Sequence, residues 1–128
     1  MIETDDERHV LREKLLVYEG PPPFNVVTQP EALADMVLAL RCGFLVLDSY
    51  KDLAPGLSKD EVGSAVNIAL QHVIAAGSEL LGLHHQRKAT GDNRSPKTLD
   101  DVYGSTWITA GSGSVTVLTG NPGDSFVE

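Results

Sequence analysis

Two polar clusters in the chain each follow an apolar run. Asp48-Ser49 comes after Phe44-Leu45-Val46-Leu47, and His84-His85-Gln86 comes after Leu80-Leu81-Gly82-Leu83. A carboxylate at a strand end can hold Mg²⁺ through a water, and a following hydroxyl can steady it. Open α/β sheets place their ligands at the carboxyl ends of the strands. If the two runs are parallel neighbours, Asp48 and the histidines emerge at one edge. The plainer reading is two buried strands that end in polar turns. Neighbouring strand residues point to opposite sides, so His84 and His85 are poor joint ligands for one metal. A site combining one of them with Asp48 stays open.

A third cluster is charged. The stretch from Arg87 to Lys97 gathers Arg87, Lys88, Arg94 and Lys97, four of the ten basic residues. A basic loop of this kind can reach phosphates, although on charge alone it reads as an ordinary solvated loop. Gly111-Ser112-Gly113 follows no clear strand and is weak as a phosphate cradle. A P-loop needs Gly-Lys before Ser or Thr. The residues that precede lysine here are Glu13, Tyr50, Ser58, Arg87 and Pro96, so no lysine follows a glycine. No Gly-x-Ser-x-Gly nucleophile elbow is present either.

The elements that must position these residues can be read from pattern. At 128 residues the chain fits one domain with a sizeable core. Apolar content of 41% and charged content of 22% are ordinary for a soluble globular protein. No apolar run approaches a membrane span, and the acidic start Met1–Glu7 is no secretory signal. Cys42 is the only cysteine, which excludes an intrachain disulfide and a cysteine-based zinc site; a cytoplasmic location is the default expectation. A net charge of −8 argues against a nucleic-acid-binding surface spread over the whole chain. Any contact with DNA is then local.

Thr4 with Glu7 predicts a capped helix to Lys14. Leu15-Leu16-Val17-Tyr18 predicts a short strand, stopped by Gly20 and Pro21-Pro22-Pro23. Pro30 opens a helix to Leu40 with Leu33, Val37 and Leu40 on one face. The unbroken Phe44–Leu47 run predicts a strand buried on both faces. Tyr50–Lys59 reads as a loop. Ser58 with Glu61 predicts the cap of a helix from about Asp60 to Ala76, whose stripe is Val62, Val66, Ala69, Leu70 and Val73 and which Gly77 ends. Thr98, supported by Asp101, caps a short helix from Leu99 to about Tyr103. Ser114–Thr119 alternates as a strand, Asn121–Asp124 turns, and Ser125-Phe126-Val127 begins a last strand. This order predicts an α/β fold with a mostly parallel sheet, flanking helices and a C-terminal antiparallel hairpin.

Gly20-Pro21-Pro22-Pro23-Phe24, Phe44–Asp52, Leu83–Lys88 and Leu99–Gly111 stand in an order that resembles the C-terminal part of a RecA-like ATPase core. The likeness is to AAA-family proteins of actinobacterial and actinophage type, similar to hexameric DnaB-type and plasmid-replication helicases. It covers nearly the whole chain, and Asp101-Val102-Tyr103-Gly104-Ser105-Thr106-Trp107 is its most specific part.

The resemblance implies a partial RecA-like P-loop NTPase fold as one domain over residues 1–128, with ATP and Mg²⁺ as cofactors. Asp48 takes the place of the Walker B aspartate and metal ligand, and His85 that of the γ-phosphate sensor. Ser49 and Gln86 fall beside the nucleotide, and Arg87, Lys88, Arg94 and Lys97 fall on a DNA-contacting loop. The family's P-loop is missing, and no arginine lies between Tyr103 and Thr119 to act as a finger. The expectation is therefore a fragment of a replicative-helicase motor that hydrolyses ATP very weakly alone. Its expected partners are DNA, and either further copies or a chain that carries the P-loop. The alternative is a non-catalytic remnant that binds helicase or ATPase subunits, because cut strands leave edges that favour pairing. No membrane partner is expected.

Overall fold

The computed structural model describes residues 5–86 and 98–118. Among them the fold is mixed α/β, built on a two-stranded parallel sheet. Helix α1 (Asp5–Lys14) leads, followed by α2 (Ala32–Ala39), β1 (Phe44–Asp48), α3 (Tyr50–Leu53), α4 (Asp60–Ala75), β2 (Glu79–Leu83) and α5 (Trp107–Ala110). A single 3₁₀ turn spans Leu99–Asp101.

The strand–helix–strand unit β1–α4–β2 is the centre of the molecule. β1 and β2 pair in parallel from Phe44↔Glu79 to Asp48↔Leu83. Their starts are tied together: the Glu79 N–H donates to Gly43 O at 3.0 Å, and the Ser78 hydroxyl donates to the Cys42 carbonyl. Gly77, at φ +91°, lets the chain leave α4 and turn into β2.

The core lies on one side of this sheet. α4 buries Gly63, Val66, Ala69, Leu70 and Val73, a stripe at helical spacing. α2 buries Leu33, Ala34 and Val37 and packs against α4. Leu45 and Leu47 of β1 and Leu80 of β2 meet this cluster, and Val26, Leu57 and Ile108 close it. Burying a side chain such as Val66 completely contributes about 1.5–3 kcal/mol relative to leaving it in water.

The helices expected at residues 4–14, 30–40 and 60–76 are present, the last two with trimmed ends; Leu40 falls outside α2 and is exposed, and the expected cap Thr4 lies outside the described residues. α4 is preceded by Lys59 as its N-cap, without a side-chain capping bond, so Ser58 does not cap it. Thr98 does cap: its N–H and Oγ both approach Asp101 Oδ2, at 2.9 and 3.0 Å. The capped element is a single turn, not a helix to Tyr103.

Three expectations need correction. β1 is covered on one face only, because α2 and α4 both lie on the side of Leu45 and Leu47. Phe44, Val46, Leu81 and Leu83 alternate to the other side and are between 42% and 57% exposed. Residues 15–18 form no ladder among the described residues, and neither do residues 114–118. The Tyr50–Lys59 loop contains α3, nucleated by a reciprocal capping box in which the Ser49 N–H and Oγ both bond Asp52 Oδ2. The expected turn and strand beyond Leu118, and the basic loop with Arg87, Lys88, Arg94 and Lys97, lie outside the described residues.

Candidate functional site: the carboxyl edge of the sheet

The register sets the site. Asp48 stands level with Leu83, so Asp48-Ser49 and His84-His85-Gln86 leave the sheet at the same edge, from adjacent strands. Asp48 is exposed and has no hydrogen-bond or ion-pair partner among the described residues. The Asp48–Ser49 peptide is cis. Ser49 is buried, and its hydroxyl donates to Asp52 at 3.0 Å. Its side chain therefore starts α3, and its role at the edge is to fix where Asp48 sits.

The two histidines divide the work. His84 turns inward and packs among rings, with its centroid 5.5 Å from Tyr50 and 6.0 Å from Tyr103. Its Nε2 lies 2.6 Å from the Tyr103 carbonyl. A carbonyl oxygen can only accept, so Nε2 carries the proton and Nδ1 presents a lone pair. Nδ1 is buried with no partner. Burial, followed by the weaker influence of His85, lowers the His84 pKa, and the bond to Tyr103 only partly opposes them. His84 is thus a neutral packing residue. His85 is exposed; its backbone carbonyl accepts from the Tyr103 N–H at 3.1 Å, and its ring, 6.4 Å from that of His84, has no hydrogen-bond or ion-pair partner among the described residues. Gln86 forms an antiparallel bridge with Val102.

Tyr50 and Tyr103 belong to this site; both stand in the stretches that carry the resemblance, but sequence reasoning assigned neither a role. Tyr50 follows Asp48-Ser49 directly and lays its ring on Gly82, where a Cβ would meet the phenol oxygen at 1.8 Å. Its hydroxyl pKa is raised by burial. Tyr103 sits in the stretch 101–107, which works as a tether. Gly104, at φ +116°, turns the chain beside the Leu57 carbonyl. Ser105 then donates from N to Leu57 O at 2.8 Å and from Oγ to Asp60 Oδ1 at 2.6 Å. The Ser105 oxygen also accepts from the Trp107 N–H. One end of the tether clasps the histidines, and the other is fixed to the first turn of α4.

Beside β2 lies a groove of about 680 Å³. Residues 79–86 and 113–118 line it, together with Leu70 and Ile74 of α4. Gln71 Nε2 donates to the Gly111 carbonyl at 3.1 Å, which ties the chain just before residues 113–118 to α4.

Among the described residues no three His, Cys, Asp or Glu side chains converge to hold a metal. Among the described residues, Asp48 is a carboxylate at the rim without a hydrogen-bond or ion-pair partner. That donor set fits Mg²⁺ only in the mode where one or two carboxylates assist and substrate phosphates and waters complete the shell. No known protein family, curated protein or solved structure matches the chain.

Proposed function

We propose that the chain is part of a RecA-like ATPase core of the replicative-helicase kind, which lends the rim of a nucleotide site and needs another polypeptide to grip the phosphates. The observation that supports this reading best is the parallel register of β1 and β2, which brings a free carboxylate, Asp48, and a free imidazole, His85, to one edge. Bound Mg²⁺ would neutralise charge on the phosphates during transfer. Asp48 would orient it through water, and the turn fixed by Ser49 and Asp52 would hold that carboxylate in place. His85 would hydrogen-bond the terminal phosphate, and its backbone link to Tyr103 would connect that contact to the tether. Gln86 would flank the nucleotide, and Arg87, Lys88, Arg94 and Lys97 would contact DNA.

Catalysis of phosphoryl transfer is mostly positioning and charge stabilisation. A chain without Gly-Lys-Ser/Thr should therefore hydrolyse ATP at close to background. The test is an ATPase assay with Mg²⁺, run on this chain alone and with the polypeptide encoded directly upstream. Hydrolysis appearing only in the mixture, and lost with Asp48→Ala and with His85→Ala, is the expected result. Robust hydrolysis by this chain alone would contradict the reading, as would no gain from the upstream polypeptide.

A second reading is a non-catalytic module that binds helicase or ATPase subunits. The open apolar face of Phe44, Val46, Leu81 and Leu83 favours it, since contiguous apolar surface marks association sites. Association without nucleotide affinity would select it.

A further inference from the structure

A neutral imidazole has one nitrogen that donates and one that accepts, and a charged one has two donors. In His84 the donor is engaged: Nε2–H meets the Tyr103 carbonyl at 2.6 Å. Nδ1 is not. It is the one buried side-chain nitrogen or oxygen among the described residues without a hydrogen-bond partner. Native folds leave few such groups unmatched. A proton bound at Nδ1 would make it a buried N–H with nothing to accept it, which is costlier than an idle lone pair.

The surroundings offer a charge on His84 no counter-charge. Tyr50 of α3 and Tyr103 of the tether present rings to it. Asp101, in the 3₁₀ turn before Tyr103, accepts from Thr98. Asp48 at the end of β1 and Glu79 at the start of β2 form no ion pair with it. The charge that does act on the ring is that of His85, and it repels. The Tyr103 carbonyl favours a protonated ring, and burial outweighs it.

The clasp can open without the core. The amino-terminal end of the tether is held to the end of β2 by the His84–Tyr103 bond, the Tyr103 N–H to the His85 carbonyl, and the Gln86↔Val102 bridge. All three lie beyond Asp48↔Leu83, the last pair of the sheet. The other end of the tether is fastened separately, through Ser105 to Leu57 and Asp60.

We propose that His84 is a proton-operated latch: the ring takes a proton by leaving Tyr103, so acid opens the clasp between residues 84–86 and 101–103 while the sheet and α4 stay folded. His85 and Gln86 then lose the ties that hold them at the rim. Linkage gives the direction. Once released, the imidazole behaves as an ordinary one that titrates near pH ~6.5. In the clasped form burial lowers its affinity for the proton, so falling pH shifts the balance towards the open form. The latch stands apart from the ATPase reading. Its test follows hydrogen bonds and not hydrolysis, and the failure of either leaves the other in place.

The test is amide hydrogen exchange of the full chain, with each rate expressed as protection relative to an unstructured chain at the same pH. The Tyr103 amide reports the clasp, and the amide of Val73, buried on α4, reports global unfolding. From about pH 7.5 to about pH 5, protection at Tyr103 should fall about tenfold. At both ends of that range it should be lower than at Val73 and respond less to low urea, as local opening does. His84→Gln keeps a donor for Tyr103 but cannot titrate, and its Tyr103 protection should be nearly constant with pH. His84→Phe, which keeps a ring between the tyrosines, should be equally flat. Exchange at Tyr103 that keeps step with Val73 in urea overturns the latch. So does a pH response that survives in either variant.

Discussion

His84 Nε2 donates to the Tyr103 carbonyl across 2.6 Å, while the Tyr103 N–H returns a bond to the His85 carbonyl at 3.1 Å. The pair locks the end of β2 to the tether and settles which imidazole turns inward. The burial of His84 at this junction makes the fold sensitive to acid. An ordinary imidazole titrates near 6.5, and burial lowers the folded-state value of His84 below that. The stability this gives is present in full above pH ~6.5 and is lost as pH falls from there through the lowered folded value, because the unfolded chain binds the proton more readily. Urea midpoints measured from pH 8 to 5 should fall more steeply for the wild type than for His84→Gln. Parallel curves would show that His84 is not the group responsible.

Gly82 is required by the ring that lies on it. A Cβ there would stand 1.8 Å from Tyr50 Oη and 2.0 Å from Cζ. Tyr50 is only 7% exposed and cannot swing into solvent without leaving the core. Gly82→Ala should therefore destabilise by about 1–3 kcal/mol, the usual cost of overpacking. Tyr50→Phe should not rescue it, since the ring carbon remains in the way. Tyr50→Leu should make the double variant cost less than the sum of the two single changes. Chemical denaturation of the four proteins measures both effects.

Ser105 joins the tether to α4 through one oxygen, which donates to Asp60 and accepts from the Trp107 N–H. Ser105→Ala removes a hydrogen bond to a carboxylate and leaves a nearly buried site short of a partner. The expected loss is roughly 1–2 kcal/mol. Hydrogen exchange at the Tyr103 and Ser105 amides should speed up more than exchange within α4. Uniform acceleration across the whole chain would indicate global destabilisation rather than a loosened tether.

The legible parts of this fold were those where one local signal sufficed. The helical stripe of α4 and the stop at Gly77 are written in spacing and in a residue that tolerates positive φ. The shared rim was also legible, because two apolar runs separated by a helix-length segment argue for parallel neighbours. The open face was not. Phe44-Leu45-Val46-Leu47 cannot say whether a second layer covers it, since a run of apolar residues looks the same with one face packed or two. Residues 15–18 show the same limit: strand-forming residue types do not supply a strand to pair with. The helix after Asp48 was missed although Ser49 and Asp52 carry the spacing of a capping box, because Pro55 and Gly56 drew the whole stretch into a loop. His84 and His85 separate only once Tyr103, 19 residues away from His84, is in place.

Asp48 and Asp52 lie four residues apart and should behave as opposites. Asp48 is exposed and makes no contact that the fold needs. Asp52 accepts from both the N–H and the hydroxyl of Ser49, at 3.3 and 3.0 Å, and so starts α3. Asp48→Ala should leave stability within about 0.5 kcal/mol of the wild type, and under the proposed function it should abolish Mg²⁺-dependent hydrolysis by the reconstituted site. Asp52→Ala should cost about 0.5–2 kcal/mol, as the loss of a helix cap does. It should reduce hydrolysis only in part, by loosening the turn that carries Asp48, and Asp52→Asn should recover much of that loss. Denaturation curves and ATPase rates on the same preparations separate the two roles. An Asp48→Ala variant that hydrolyses ATP normally beside its P-loop partner would remove the carboxylate from the proposed mechanism.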